Sequence, residues 1–378
     1  MARFSALTAA LFAGAVTSGA RAAIDVGSCA EFAAVDRQVE TEVTITEADF
    51  ACDEYTRLSI RSDMVLKSSV GKVTFTNFAL KVYGSLTVEP DVVFTGVSLV
   101  EKNGGVLKLE LGAVGVFKGT AEFSDNSIIA TSIDESAEEE ILRKGGAIHI
   151  KGSLTFEKDA TFSGNLNDRL YYGSGPGGAI SVHVKGSIYF MGKLTMTDNE
   201  ADDYFGGAQG GAIFNKGDIV VDGEAEFTGN IGGAGGAIFQ EKWATLVFND
   251  FVTFTSNKCV GTFGGTIANI GGEVTANAGS LFFDGFAENS GDGGVGGAIY
   301  NYGGGVVKLM GSTTFRQNYG NWGGAVFNSA VPTAYFTAED ESYVMPIISY
   351  PEDTVFEDNY GQYCNDFASD YDEKTCGL

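Results

Sequence analysis

Residues 210–230 read GGAIFNKGDIVVDGEAEFTGN, and the punctuation of that stretch decides the fold. Apolar residues come in short alternating or β-branched runs, broken at Lys216-Gly217 and Asp222-Gly223. No part of it sustains a helical period; brief runs between Gly-containing turns are the mark of strands. Two tetrads bound the stretch, Gly-Gly-Ala-Ile at Gly210 and Phe-Thr-Gly-Asn at Phe227.

Working outward, both tetrads recur. The first begins at Gly145, Gly177, Gly210, Gly235, Gly264 (GGTI), Gly296 and Gly323 (GGAV). The second, Phe-x-x-Asn, begins at Phe123, Phe162, Phe227, Phe254, Phe286, Phe315 and Phe356, with Met196 (MTDN) in the remaining slot. They alternate strictly through 123–359. The interval from Gly-Gly-Ala to Phe-x-x-Asn is nearly constant until the last repeat, whereas the return interval varies several-fold. Constant segments are scaffold and variable ones are loops on one face. Repeats of this length with three short strands each predict an all-β chain: a right-handed parallel β-helix, a single-stranded solenoid in which each coil pairs with the next.

The motif residues then acquire roles. Paired glycines permit a tight corner. Phe stacks on the Phe of the next coil as an internal column. Asn tolerates a left-handed turn and hydrogen-bonds backbone, so Asn126, Asn165, Asn199, Asn230, Asn257, Asn289, Asn318 and Asn359 are predicted to form an amide ladder. Asn215, Asn269, Asn301 and Asn328 outline a second column. Residues 43–120 lack the tetrads but keep the strand rhythm and read as earlier coils of the same solenoid.

Alternating GGA[ILV] and FxxN resembles the repeat signature of chlamydial polymorphic outer-membrane proteins, over 123–359. The resemblance implies a passenger-like β-helix of the pectin-lyase-like fold and an adhesin-like role. It does not imply self-transport, because after Asn359 there is no room for the family's C-terminal membrane barrel.

The ends read differently from the middle. Residues 1–22 have Arg3, a mostly small or apolar run from Ala6 to Ala20, and Ala20-Arg21-Ala22, the pattern of a signal peptide. Residues 23–42 are expected to form an N-terminal cap with a short helix near Cys29, 43–359 the β-helix, and 360–378 a C-terminal cap. Export makes disulfides Cys29–Cys52 and Cys364–Cys376 the economical pairing, one staple at each end, with Cys259 left over. The localisation expected is secreted or cell-surface, with no membrane span once the leader is removed.

Composition narrows the function. Asp plus Glu number 49 against 24 Lys plus Arg, a net charge of −25 that disfavours nucleic acid and anionic membranes as partners. Two His leave almost no material for a His-based triad or a multi-His zinc site. His149 and His183 read as strand surface histidines. The fold class houses polysaccharide lyases, glycosidases and epimerases, but the chain lacks the polygalacturonase-like cluster of paired Asp, Gly-His-Gly and Arg-x-Lys, so no catalytic residue is assigned. The insertion-tolerant loops hold the binding candidates Tyr171, Tyr172, Tyr204, Phe205, Tyr319 and Trp322, with Phe263, and the acids Asp202 and Asp203, with Asp168, Asp292 and Glu138–Glu140. Exposed rings stack on sugars, and carboxylates bind sugar hydroxyls or calcium. The function expected is a non-catalytic surface or matrix protein that presents acidic-aromatic loops to an extracellular glycan or surface protein, without an obligate cofactor (calcium being the one admissible ion). The alternative is a polysaccharide-modifying enzyme of the same fold.

Overall fold

The structure, a computed structural model, describes residues 22–35, 39–100, 105–130, 145–169, 175–203, 208–287, 294–329, 346–362 and 364–369. Among these, short strands stack in parallel into a twelve-stranded, a twenty-stranded and a seven-stranded sheet. This is a parallel β-helix solenoid. A coil from the middle shows the unit: Ile148–Ile150, Ser153–Phe156, Ala160–Ser163 and Leu166–Arg169 follow one another around the rod, then the chain returns to Gly177. Each strand pairs in parallel with its counterpart one coil later, as Ile148 does with Ile180 and Phe162 with Met196. Inward and outward residues alternate, because successive side chains of a strand point to opposite faces.

The core is a set of columns. Phe50, Phe75, Phe94, Phe123, Phe162, Met196, Phe227, Phe254, Phe282, Phe315 and Phe356 occupy one register position along the stack. Phe50 meets Phe75 edge-on; from Phe75 onward neighbouring rings lie near-parallel, with centroids 4.9 Å apart for Phe123–Phe162 and 4.8 Å for Phe282–Phe315. Phe117, Phe156 and Phe190 form a second column on the twelve-stranded sheet and meet the first edge-to-face. The Ile or Val of each Gly-Gly tetrad makes a third.

The corners explain the motifs. The residue before each ladder position has positive φ: Asp125, Gly164, Asp198, Gly229, Ser256, Asp284, Gln317 and Asp358. The first glycine of each tetrad is also left-handed, from Gly145 (φ 70) to Gly323 (φ 61). The second is excluded from substitution by its neighbour coil. A Cβ on Gly178 would sit 2.0 Å from the Gly211 carbonyl oxygen, and one on Gly265 1.9 Å from that of Gly297. Gly-Gly therefore sets how closely successive coils approach.

The amide ladder is present as hydrogen bonds. Asn126 Nδ2 donates to Asn165 Oδ1 (3.0 Å), Asn165 to Asn199 (2.9 Å), Asn199 to Asn230 (3.0 Å) and Asn230 to Asn257 (2.9 Å). Each Nδ2 also donates to a carbonyl one coil back, as Asn199 does to Phe162. The structure corrects the register of one repeat. Phe282, not Phe286, continues the Phe column, so the ladder slot belongs to Gly285 rather than Asn289. Asn289 itself lies outside the described residues. Gly285 carries no side-chain amide, and its backbone N–H donates to Asn318 Oδ1 at 3.0 Å; the ladder then resumes with Asn318 to Asn359 (2.9 Å). The second column runs Asn215–Gln240 (2.9 Å), then Asn269–Asn301 and Asn301–Asn328 (both 2.8 Å). A tetrad also occurs in the segment read as lacking one: Gly105-Val106-Leu107 occupies the slot, with Leu107 paired to Ile148.

Strand pairing extends into both segments read as caps. Ala22–Val26, which begins at the residue read as the end of the leader, pairs with Thr41–Ile45, and Phe367–Ser369 pairs with the strand at Val326. Helix α1 (Cys29–Ala34) starts at Ser28, whose Oγ accepts from the Glu31 N–H. Its buried Phe32 packs edge-on against Phe50 and Phe78 at the first rungs of the core, and Cys29 is bonded to Cys52. Cys364 is disulfide-bonded as well; Cys376 lies outside the described residues. Residues 1–21 do too, and no helix among the described residues is long and apolar enough to cross a membrane.

Candidate functional site

The seven-stranded sheet positions the variable loops. Its strands, among them Ser127–Ala130, Leu166–Arg169, Glu200–Asp203 and Lys258–Phe263, stack in parallel, with a register shift where Ile231–Ala234 meets Lys258–Phe263. The first three are each followed by a length-variable interval and then by the next Gly-Gly corner, whereas Lys258–Phe263 runs directly into Gly264. Because these strands are stacked, the points at which those intervals begin lie along one edge; residues 330–345 instead follow Val326–Ser329, a strand of the twenty-stranded sheet. The residue just before the corner is itself stacked: Pro176, Gln209, Ala234, Phe263, Val295 and Trp322 bridge one to the next.

That stacking decides what the aromatics do. Phe263 and Val295 are buried in a second apolar cluster with Phe214, Phe239, Tyr300 and Phe327, outside the main core, and half-buried Trp322 packs against it. Phe263 and Trp322 thus bind the loop stems to the scaffold. Tyr319 is half-buried between Phe286 (centroids 4.8 Å) and Tyr360 (5.3 Å). These three rings form an outward column at the C-terminal end of the edge, with Lys258 Nζ 5.6 Å from the Phe286 centroid. Phe286 and Tyr360 were not among the sequence candidates. Each directly follows a ladder position, a signal that becomes legible only in the correct register.

The acids gather elsewhere. Asp168 and Asp202 face each other on adjacent coils, and Glu200 is two residues before Asp202. Burial, then the charge of Asp202, raises the Asp168 carboxyl above the usual carboxylate range. Glu200 is raised for the same reasons, with Asp168 adding to the repulsion. Four coil steps, about 19 Å at the inter-strand spacing, separate Glu200 from Tyr319. Asp202 and the pair Tyr319/Trp322 are therefore not one site. Tyr171, Tyr172, Tyr204, Phe205, Asp292 and Glu138–Glu140 lie outside the described residues, as does the side chain of Asp203. Among the described residues no group of three or more His, Cys, Asp or Glu is arranged to hold a metal.

Two other groups are sequestered. Cys259 is buried, its Sγ donates to the Gly233 carbonyl at 3.0 Å, and burial pushes the thiol up to about 12. His149, read from the sequence as a surface histidine, is instead buried on a strand of the tetrad column. Neither a family model, a curated protein nor a solved structure matches the chain.

Proposed function

We propose that the protein is an exported, non-catalytic β-helix that displays its loop edge to an extracellular glycan or surface protein, in the manner of the adhesin passengers its repeats resemble. The observation that carries this reading is the common edge: stacked parallel strands bring the chain positions that precede three of the length-variable intervals, the ends of Ser127–Ala130, Leu166–Arg169 and Glu200–Asp203, to one side of the rod. A rod of that kind holds many weak contacts in fixed relative positions, so that they act together rather than singly. The Cys29–Cys52 bond suits an oxidising compartment. The outward Phe286–Tyr319–Tyr360 column supplies ring surface at the edge.

The test is binding of the purified mature chain to arrayed glycans and to intact cells, with calcium and with chelator. Specific binding weakened at least about fivefold by Tyr319→Ala and Tyr360→Ala supports display; absence of any specific binding contradicts it. A second reading, polysaccharide modification, rests on Asp168, Glu200 and Asp202 meeting on adjacent coils with two carboxyls raised, the environment a general acid needs. Unsaturated or shortened products from uronate polymers, abolished by Asp168→Asn, would establish it in place of display.

A further inference from the structure

One corner of the rod carries a repeat of its own, where the tetrad strands pass to the twelve-stranded sheet. Every second coil turns there in four residues: Glu110–Ala113, His183–Gly186, Glu241–Ala244 and Tyr302–Gly305. In each turn the fourth N–H donates to the first carbonyl, at 3.0, 2.6, 3.1 and 3.0 Å. The strands that follow are two coils apart in register, about 10 Å along the rod. The coils between pass the corner in two residues, Lys151-Gly152, Lys216-Gly217 and Gly271-Gly272, so the longer turns stand proud. Their tips are Leu111-Gly112, Val184-Lys185, Lys242-Trp243 and Gly303-Gly304. Leu111, Val184 and Trp243 are 62, 57 and 81% exposed. Trp243 is held at φ 67 in the third turn position, where two of the other turns have glycine, Gly112 (φ 81) and Gly304 (φ 79). That backbone is costly for a bulky L-residue. A Cβ on Gly112 would meet nothing within 4 Å, so the position opens on solvent. The Trp243 N–H donates to the Gly271 carbonyl at 3.1 Å, which ties the turn to the next coil, and the ring lies against the Lys242 ammonium, 4.8 Å from its centroid.

The geometry points to this ridge as the surface on which the rod docks to a zwitterionic phospholipid bilayer. Trp243, Val184 and Leu111 enter the headgroup layer, and Lys185 and Lys242 meet lipid phosphates. The tetrad strands separate the ridge from the loop edge, so the inference adds a second surface to the display reading and does not rest on it. Charge at the tips suits phosphate. Glu110 is paired with Lys81 and Lys108, and Glu241 with Lys216. Among the described residues neither Lys185 nor Lys242 is paired with a carboxylate. Two of the tips thus carry one apolar side chain and one unpaired ammonium. That is the composition the membrane–water boundary favours, with tryptophan at headgroup level and a lysine stem along the apolar surface. The tips are convex and separate. A protein partner needs three pockets spaced about 10 Å apart to receive them, whereas a fluid interface takes all three at one depth. The chain's net charge of −25 selects zwitterionic over anionic lipid.

The experiment is co-sedimentation of the full mature chain with phosphatidylcholine vesicles. It is paired with quenching of Trp243 fluorescence by brominated acyl chains in a Trp322→Phe background, Trp243 and Trp322 being the chain's two tryptophans. The chain is expected to sediment with the vesicles and Trp243 to be quenched. Trp243→Gly should weaken partition at least about tenfold and at the same time raise the urea midpoint, because glycine relieves the left-handed turn. Leu111→Asn with Val184→Asn should weaken partition at least about threefold. Opposite signs on binding and on stability separate a ring that faces a ligand from one that holds the fold. Absence of vesicle binding, or Trp243→Gly partition within about twofold of the parent, overturns the proposal. So does a lowered urea midpoint for Trp243→Gly, which assigns the ring a structural role. Loss of cell binding by Trp243→Gly in a chain that ignores vesicles also overturns it and assigns the ridge to a protein partner. Tyr319→Ala and Tyr360→Ala should leave vesicle partition unchanged, so this proposal and the display reading fail separately.

Discussion

Asn199 shows what a single ladder residue contributes. Its Oδ1 accepts from both the backbone N–H and Nδ2 of Asn165, at 3.1 and 2.9 Å, while its own Nδ2 donates to Asn230 Oδ1 and the Phe162 carbonyl. Asn199→Ala orphans buried groups on both neighbouring coils. At about 1–3 kcal/mol for an unsatisfied buried group, urea unfolding should register a loss of roughly 3 kcal/mol. A loss below about 1 kcal/mol would mean that the ladder adds little to stability. The turn residue before the ladder behaves oppositely. Gln317 is exposed and held at φ 55, a conformation costing an L-residue about 1–2 kcal/mol. Gln317→Gly should therefore stabilise, by roughly 0.5–1 kcal/mol after the added chain entropy of glycine; an unchanged or lower denaturation midpoint would contradict this. The residue scale is also where the sequence was most and least legible. Phe and Asn identities predicted the columns because like side chains must lie over like. At 282–289 two phenylalanines compete for the slot, and the Asn of the wrong one completes the motif. The misassigned repeat had the longest scaffold interval of those before the final one, and that interval carried the register information.

Elements differ in what they demand of the chain. The seven-stranded sheet places Asp168 directly opposite Asp202, a like-charge cross-strand pair that costs roughly 0.2–1 kcal/mol and is screened where solvent reaches it. Asp168 and Glu200 titrate higher in the fold than in the unfolded chain. The native state therefore binds more protons between those values. The stability gained by protonation is fully present below the unfolded pKa and lost as pH rises through the folded one. Asp168→Asn should raise the urea midpoint at pH 7 and leave it nearly unchanged at pH 3; a lower midpoint at pH 7 would assign the carboxylate a stabilising contact. Helix α1 depends on a covalent tie. The Cys29–Cys52 bond has a sequence separation of 23 and contributes about 3 kcal/mol on loop-entropy grounds. Replacing both cysteines with serine should lower the melting temperature and expose Phe32 side-chain surroundings to hydrogen exchange first; unchanged exchange at the Phe32 and Phe50 amides would show that α1 holds without it. The loop edge was legible as a place, from the unequal intervals, but not as a set of contacts. Nothing in the intervals indicates that Phe263 and Trp322 turn inward, because that depends on the apolar residues Phe214, Phe239 and Tyr300 on the outer face of another strand column.

At the scale of the whole molecule, stability is the sum of coils and the interfaces between them, and function rests on those interfaces keeping their register over the full length. Thr74, Val93, Glu122, Thr161, Thr195, Glu226, Thr253, Leu281 and Thr314 occupy one outward position on successive coils. Spin labels on cysteines introduced at Thr74, Thr161 and Thr314, two at a time, read this directly. Cys259 does not compete for label, being buried with its thiol pushed up to about 12. Double electron–electron resonance should place the backbone positions about 38 Å apart for Thr74 with Thr314 and about 24 Å apart for Thr161 with Thr314, one inter-strand spacing per coil. Distances that fail to grow in proportion to the number of coils would contradict the stacked register on which the columns, the ladder and the proposed display edge all depend.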